Sequence, residues 1–428
     1  MSAAGRLPEK AFYYGWAIVG LAHVTLAFQV TTRFGFGIFQ VPLIEEFGWS
    51  RGALGGAFAL GLGAYAVFVP YAGSLLERHG PRRVMPWGCV IAGLSMAGSF
   101  FVSSLWHVYL MSGLLCGTGL AISGFSTHSA LMPRWFIRAR GRATGLALAG
   151  IGVGTLVLSP AIERAIAYWG WRAAYLLFGL SILLLIVPAN FLLMRDYPEE
   201  KGQGPDGGPP RSPEALAAAR GGHSGKGVRE VFAAVRGDAR FWVFVLLAFC
   251  IGLNANTLMS QLQLYLVDQG YPTAPAALIF GAVGFLRMLG SVAGGWMGDR
   301  IGRGRGVALS AVIVALGLVH LLLLPALGGG IANGLLYALL YGAGVGAMSA
   351  CYSALAGDCF EGPTYGVIIG FLEICYGLGG VVGPPLAGLM FDLTRSYAVP
   401  FSVIAACMVA CIFIGFFLQP EPGRRKAA

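Results

Sequence analysis

In GAVGFLRMLGSVAGGWMGDRIGR, residues 281–303, an apolar, glycine-rich run long enough to cross a membrane passes into a charged turn. It leaves one cation, Arg287, inside the apolar part. A cation at the centre of a bilayer costs roughly 2.5–3.5 kcal/mol on insertion scales, so it persists only where it faces protein, water or an anion. Arg287 therefore reads as a ligand-site residue.

Outward from this stretch the whole chain has the same character. Of 428 residues, 57% are hydrophobic and 11% charged, which is the composition of a polytopic membrane protein. Apolar runs of about 20 residues recur near 12–41, 52–76, 83–103, 106–130, 141–165, 173–194, 241–267, 273–297, 306–326, 329–355, 364–390 and 397–418. The expected fold is all-α, with twelve transmembrane helices in two six-helix bundles. The first run has no small-residue cleavage site and is read as a retained helix, not a signal peptide. Residues 195–240 are rich in Gly, Pro and charge and read as a flexible cytoplasmic linker, with room for a short amphipathic helix at the end. The expected domains are thus residues 1–194, the linker 195–240, and residues 241–428.

The net charge of +10 is spread over short segments between apolar runs, a pattern of topology signals and not of a nucleic-acid-binding face. Arg6, Lys10, Arg78, Arg82, Arg83, Arg134, Arg138, Arg140, Arg142, the linker, Arg300, Arg303, Arg305, Arg424, Arg425 and Lys426 fall on one side. Arg51, Arg164, Arg172 and Arg395 fall on the other. The positive-inside rule then puts both termini in the cytoplasm of a multi-pass protein of the cell inner (plasma) membrane. The eight cysteines lie mostly in apolar runs with no CxxC pair and read as packing residues. No nucleophile–base pair, metal-ligand spacing, phosphate loop or soluble catalytic domain is visible, so no enzyme activity, metal or cofactor is expected.

The halves repeat. GSLLERHGPRR (73–83) recurs as GWMGDRIGRGR (295–305). The run from Phe136 to Pro160 recurs more loosely from Phe360 to Pro384, at a nearly equal offset. Such parallel repeats belong to one class of carrier built from duplicated halves. Within the first helix, Arg33 shares a face with Gln29 and Gln40, either as a polar stripe turned to a central cavity or as a cation snorkelling to the outer interface. Asn254, Thr257 and Gln261 form a similar stripe on the seventh helix, with Thr257 paired to Arg33 by the repeat. Glu373 lies midway along the eleventh helix; it is either a proton-carrying carboxyl or a structural partner for an arginine or backbone group. Tyr341, Val345, Met348 and Tyr352 share a face of the tenth helix, where a tyrosine hydroxyl could orient a carboxylate or the rings could simply pack. His23 and His128 read as hydrogen-bonded packing residues. The third, sixth, ninth and twelfth helices carry no mid-span charge and are expected at the periphery.

In each repeated turn a glycine (Gly73, Gly295) is placed for close helix approach. An acid (Glu77, Asp299) is placed to accept hydrogen bonds, and an arginine (Arg78, Arg300) to stay at the surface. This resembles the signature loop of the major facilitator superfamily, where it acts as a conformational latch. More narrowly, YYGWAIV (13–19), WFIRARGRATGLALAGIGVG (135–154) and GPPLAG (383–388) followed by Asp392 resemble the monocarboxylate transporter and oxalate–formate antiporter family. That resemblance implies a carrier of small organic anions by alternating access, in symport with a proton for lactate or pyruvate. It implies that Arg287 is the substrate arginine and that Arg33 stands at or beside a lysine of the family's first helix. Many proton-coupled members carry an aspartate one turn before that arginine, where this chain has Val283. The expected partners are a small carboxylate, protons and the lipid bilayer, with no nucleic acid and the monomer as the working unit. Two alternatives stand beside symport: an oxalate–formate or other dicarboxylate exchanger, with Arg33 and Arg287 clasping two carboxylates, and a transport-dead sensor.

Overall fold

The structure is a computed structural model and describes residues 12–137, 139–214, 216, 228–328, 330–360 and 365–418. Arg6, Lys10, Arg138, Arg424, Arg425, Lys426 and the side chains of Glu77 and Arg140 lie outside that description. Twelve membrane helices run through the described residues, and no strand occurs among them. They are α1 Gly15–Phe47, α2 Arg51–His79, α3 Pro81–Gly98, α4 Leu105–Ser123, α5 (140–169), α6 (171–193), α7 Ala239–Asp268, α8 Thr273–Ile301, α9 Arg303–Leu327, α10 Ile331–Cys359, α11 Tyr365–Thr394 and α12 Ala398–Phe417. Helices α5 and α6 run on from one another, and the break between them is made by Gly170 at φ 79°. In a bilayer every backbone amide must be satisfied within the protein, which is why spanning segments of this composition resolve into helices.

The duplication is visible in backbone geometry. Gly48 (φ 65°) and Gly270 (φ 82°) turn the chain after α1 and α7, and Gly80 (φ 79°) and Gly302 (φ 94°) turn it after α2 and α8. Both pairs are separated by the offset that relates Gly73 to Gly295, and both need a left-handed conformation that glycine adopts without penalty. One large core is built from α7–α12, centred on residues such as Phe244, Phe280, Tyr337 and Phe401. Two smaller ones lie in α1–α6. The exposed apolar residues Trp87 and Leu94 on α3, Leu184 and Leu192 on α6, Leu316 and Leu323 on α9 and Val409 and Phe413 on α12 give these four helices their lipid-facing positions.

The two halves touch along α2 with α11 and α5 with α8, but only over part of their length. Toward the end carrying Arg51, a Cβ at Gly55 would lie 2.8 Å from the Pro384 carbonyl, and one at Gly281 would lie 2.9 Å from that of Thr155. Small residues let backbones approach this closely. Toward the end carrying the linker, Gly73, Gly145, Gly295, Gly370 and Gly377 face open space. The molecule is thus sealed at the Arg51 end and open at the linker end.

The linker is not flexible throughout. Its first part folds back as two short turns, Pro198–Lys201 and Pro205–Gly207, onto the α1–α6 half. Asp196 accepts from the Arg82 amide at 2.7 Å, at the start of α3. Asp206 accepts from the Ile137 and Ala139 amides at 3.0 and 3.2 Å. Gln203 accepts from the Tyr14 amide at 3.0 Å, and Arg211 donates to Glu199 at 2.6 Å. Tyr13 donates to the Trp135 carbonyl; burial pushes its phenol up to about 12, so it remains a donor at neutral pH. A short helix, Val228–Val235, precedes α7, where an amphipathic segment was expected.

Candidate functional site

The open end leads to three ionisable side chains, one from each of α1, α8 and α11. Arg287 is half-buried on α8 beside Ala255, Met259, Val283, Tyr341 and Val345. Among the described residues it makes no hydrogen bond or ion pair. An apolar wall around an uncompensated guanidinium leaves it available to an anion with an apolar body, since a charge-assisted, bidentate pair to carboxylate is the strongest contact it can make there.

Arg33 comes from α1 and turns inward, not to the outer interface. Its Nη2 donates to Asn256 Oδ1 at 3.2 Å, its guanidinium lies 5.1 Å from the Phe34 ring and 5.4 Å from that of Tyr65, and its Nε is buried without a partner. The cleft beside it is walled by Phe58, Leu62, Tyr65, Ser112 and Cys116. Ser112 lies in a π-helical turn of α4, Tyr109–Leu115, an irregularity common at functional sites. Glu373 on α11 is exposed at its surface yet enclosed by protein, as a cavity-lining residue is, and the charges of both arginines reach its carboxyl.

The structure brings only part of the predicted set together. Tyr341 donates to Asn254 Oδ1 at 3.1 Å, which joins both to the Arg287 wall, and Asn254 Nδ2 is buried without a partner. Thr257 is instead buried against Gly383 of α11 with an unpartnered hydroxyl. Gln261 is held in the interior, its amide donating to the Pro384 carbonyl at 3.3 Å and accepting from the Tyr397 hydroxyl at 3.0 Å. The α7 stripe therefore splits between two neighbours, because α7 is enclosed on several sides. The stripe expected on α1 splits likewise: Gln29 donates to Ser123 Oγ at 2.6 Å inside its own half, and Gln40 reaches the Ser260 carbonyl at 3.3 Å.

The latch residues lie apart from one another at this end. Gly73 and Gly295 face open space, and close approach is made by Gly298, whose Cβ would lie 3.2 Å from Cys351 Sγ. Arg78 is exposed, and Arg300 stacks 3.8 Å over Trp296. Asp299 pairs with Arg303 at 3.7 Å, and Arg303 in turn binds Asp358 and the Ala354 carbonyl. The physical reason is the opening at this end, which separates the surfaces those glycines line.

Two features were missed in the sequence. Asn256, which holds Arg33, is separated from it by nearly the repeat offset; residues related by a two-fold axis meet when they lie near it. The other is a clasp at the sealed end. Arg51 donates to Asp268 at 2.7 Å and to the Tyr397 hydroxyl at 2.8 Å, and lies 3.9 Å over Phe391. All eight cysteines are free, and among the described residues no His, Cys, Asp and Glu group would hold a metal.

These features define an all-helical membrane protein with two unlike arginines set among its helices, and the comparisons give its family. The Major Facilitator Superfamily model matches residues 22–356 and 288–428. A bacterial homolog to the human lysosomal transporter Spinster, solved in an inward-facing and unoccupied conformation, shares the fold with a TM-score of 0.66 at 14% identity, over 97% of this chain and 96% of that one. Monocarboxylate transporter 11 of Mus musculus is 30% identical over 408 residues, 94% of this chain and 86% of that protein. Monocarboxylate transporter 13 of Rattus norvegicus is 27% identical over 398 residues, 93% and 87% of the two chains. The chain belongs to the major facilitator superfamily, as a multi-pass membrane transporter related to the monocarboxylate transporters.

Proposed function

We propose that the protein is a secondary active carrier of small organic anions that works by alternating access, in proton-coupled symport with a monocarboxylate such as lactate or pyruvate. The observation that carries this reading is Arg287, a cation without a protein partner among the described residues, in the wall of a cavity open at one end. A bound carboxylate neutralises it and lowers the cost of excluding water, so the loaded carrier closes at the linker end while the Arg51 end opens. Glu373, within reach of both arginines, is the proton-coupling group: protonation there leaves the two cations to the substrate. Asn254 and Tyr341 orient the carboxylate from the same wall. Gly73, Glu77, Arg78, Gly295, Asp299 and Arg300 form the latch, engaged when the linker end closes and disengaged in the open state. The bias of Lys and Arg places that end in the cytoplasm, with both termini, in the plasma membrane, and the monomer is the working unit.

Thermal stability of the purified protein with mono- and dicarboxylates at pH 5.5 and 7.5 tests the reading, because a ligand of the folded state raises Tm. Stabilisation by lactate or pyruvate, stronger at pH 5.5 and lost in Arg287→Ala, is the expected result; Glu373→Gln should bind without the pH dependence. Retained affinity in Arg287→Ala removes the role given to that residue. The unpartnered Nε of Arg33 favours a second reading, exchange of dicarboxylates clasped by both arginines. Stabilisation by oxalate or longer diacids at both pH values, lost with either arginine, would select it.

A further inference from the structure

The seal at the Arg51 end has a symmetry that the substrate site lacks. Helix α2 begins with the Ser50 side chain accepting from the Ala53 amide at 3.2 Å, which leaves the Arg51 and Gly52 amides without an intrahelical acceptor. Asp392, from α11 in the other half, accepts from two of them: Arg51 N at 3.2 Å on Oδ1 and Gly52 N at 2.9 Å on Oδ2. Helix α8 begins at Thr273 with Pro272 before it and no side-chain cap of its own. There Glu163, from α5 in the other half, is 5% exposed, has no ion pair among the described residues, and lies beside the Thr273 side chain. Arg51 and Thr273 are related by the same offset as the repeated turns, and α5 and α11 are the helices that the repeat makes equivalent.

We infer that Asp392 and Glu163 are reciprocal gating residues: each half closes the Arg51 end by placing a carboxylate on the start of a helix in the other half. This rests on the alternating-access reading given above. A carboxylate at a helix N-terminus is stabilised by the orphan amides and by the positive end of the helix dipole, more strongly where water is excluded. Opening this end pulls α11 from α2 and α5 from α8, so both caps must break together. The device is unequal in strength. On the α2 side the Arg51 guanidinium adds its pair with Asp268 and its bond to Tyr397, whereas on the α8 side Glu163 faces Thr273 with Glu45 as a like-charged neighbour. The α8 cap is therefore the weaker of the two.

Spin labels at Tyr168→Cys and Val399→Cys, both exposed at the Arg51 end on opposite halves, read the gate without substrate. The parent protein should give a short distance. Asp392→Ala and Glu163→Ala should each raise the separated fraction by about five- to tenfold, as loss of a helix cap would, and the pair together by more. Thr273→Val, too mild to unfold α8, should raise it by about two- to threefold. A distance distribution unchanged in Asp392→Ala overturns the inference for α2, and one unchanged in both Glu163→Ala and Thr273→Val overturns it for α8. Because no ligand enters the measurement, a protein that binds no carboxylate but shows these shifts keeps the gate and loses the substrate reading. A protein that binds carboxylate without the shifts does the reverse.

Discussion

Asn256 shows at the scale of one residue what the site demands. Its Oδ1 accepts from Arg33 while its Nδ2 donates to the Gly252 carbonyl at 2.9 Å, so the side chain is fixed at both ends and fixes the arginine in turn. A hydrogen bond to a charged group contributes about 1.5–3 kcal/mol. Part of that is lost as binding when Arg33 is left to sample other rotamers, and Asn256→Ala should weaken carboxylate binding by about tenfold, or roughly 1.4 kcal/mol. Titration calorimetry on the purified protein measures it; unchanged affinity would show that Arg33 stands outside the site. The sequence singled out Arg33, Arg287 and Glu373 because each is an isolated charge in an apolar run, a signal that needs no knowledge of packing. It did not single out Asn256, because a neutral amide one position off the Asn254–Thr257–Gln261 stripe carries no such signal. Nor could periodicity tell that this stripe faces Tyr341 at one residue and Gly383 and Pro384 at the next two.

At the scale of elements, Arg287 is positioned by how tightly α8 lies on α10. A Cβ at Gly290 would meet Ala343, one at Gly294 would meet Ala347, and one at Gly346 would fall on the Arg287 carbonyl itself. The backbone of α8 therefore sits where only glycine at 346 allows it. Gly346→Ala forces α8 outward by overpacking, a change that costs about 1–3 kcal/mol, and it moves Arg287 without altering any charge. The expected result is a lower Tm together with weaker carboxylate binding. Gly20→Ala, on a surface of α1 with open space around it, should leave both unchanged or slightly raise Tm. A Gly346→Ala protein with native affinity would mean that the position of Arg287 is not set by this contact. The existence and order of the helices were legible from length and hydropathy, and their duplication from the constant offset between the repeated turns, which the paired left-handed glycines keep. Helix contacts were not, since small residues recur on several faces and only the packing decides which are used.

At the scale of the molecule, the proposed alternating access requires each half to hold together while the surface between them opens, and we propose that the folded part of the linker braces the α1–α6 half. It ties the α2–α3 turn through Asp196, the segment between α4 and α5 through Asp206, and the start of α1 through Gln203. Composition alone read this stretch as flexible because Gly and Pro dominate it, yet a few carboxylates facing backbone amides are enough to fold it. Its carboxylates respond to pH in opposite senses. Burial works to raise Glu199, but the hydrogen bonds and charge of Arg211 outweigh it and hold the carboxyl below its ordinary value. Its contribution is therefore complete above the unfolded carboxylate value of about 4.3, and is lost as pH falls through the lower folded value. Burial raises Asp196, against the pull of the Arg82 amide. Its contribution is complete below the unfolded value of about 3.9, and is lost as pH rises through the raised folded value. Hydrogen exchange of residues 137–139 and 195–211 should then separate the two. Glu199→Gln should exchange faster than the parent at pH 7 and lose the parent's further acceleration below about pH 4. Asp196→Asn keeps an oxygen for the Arg82 amide without the buried charge and should exchange no faster than the parent at pH 7. If both variants exchanged like the parent, the linker would be an attached segment and not a brace, and the rigidity of that half would have to come from its helix packing alone.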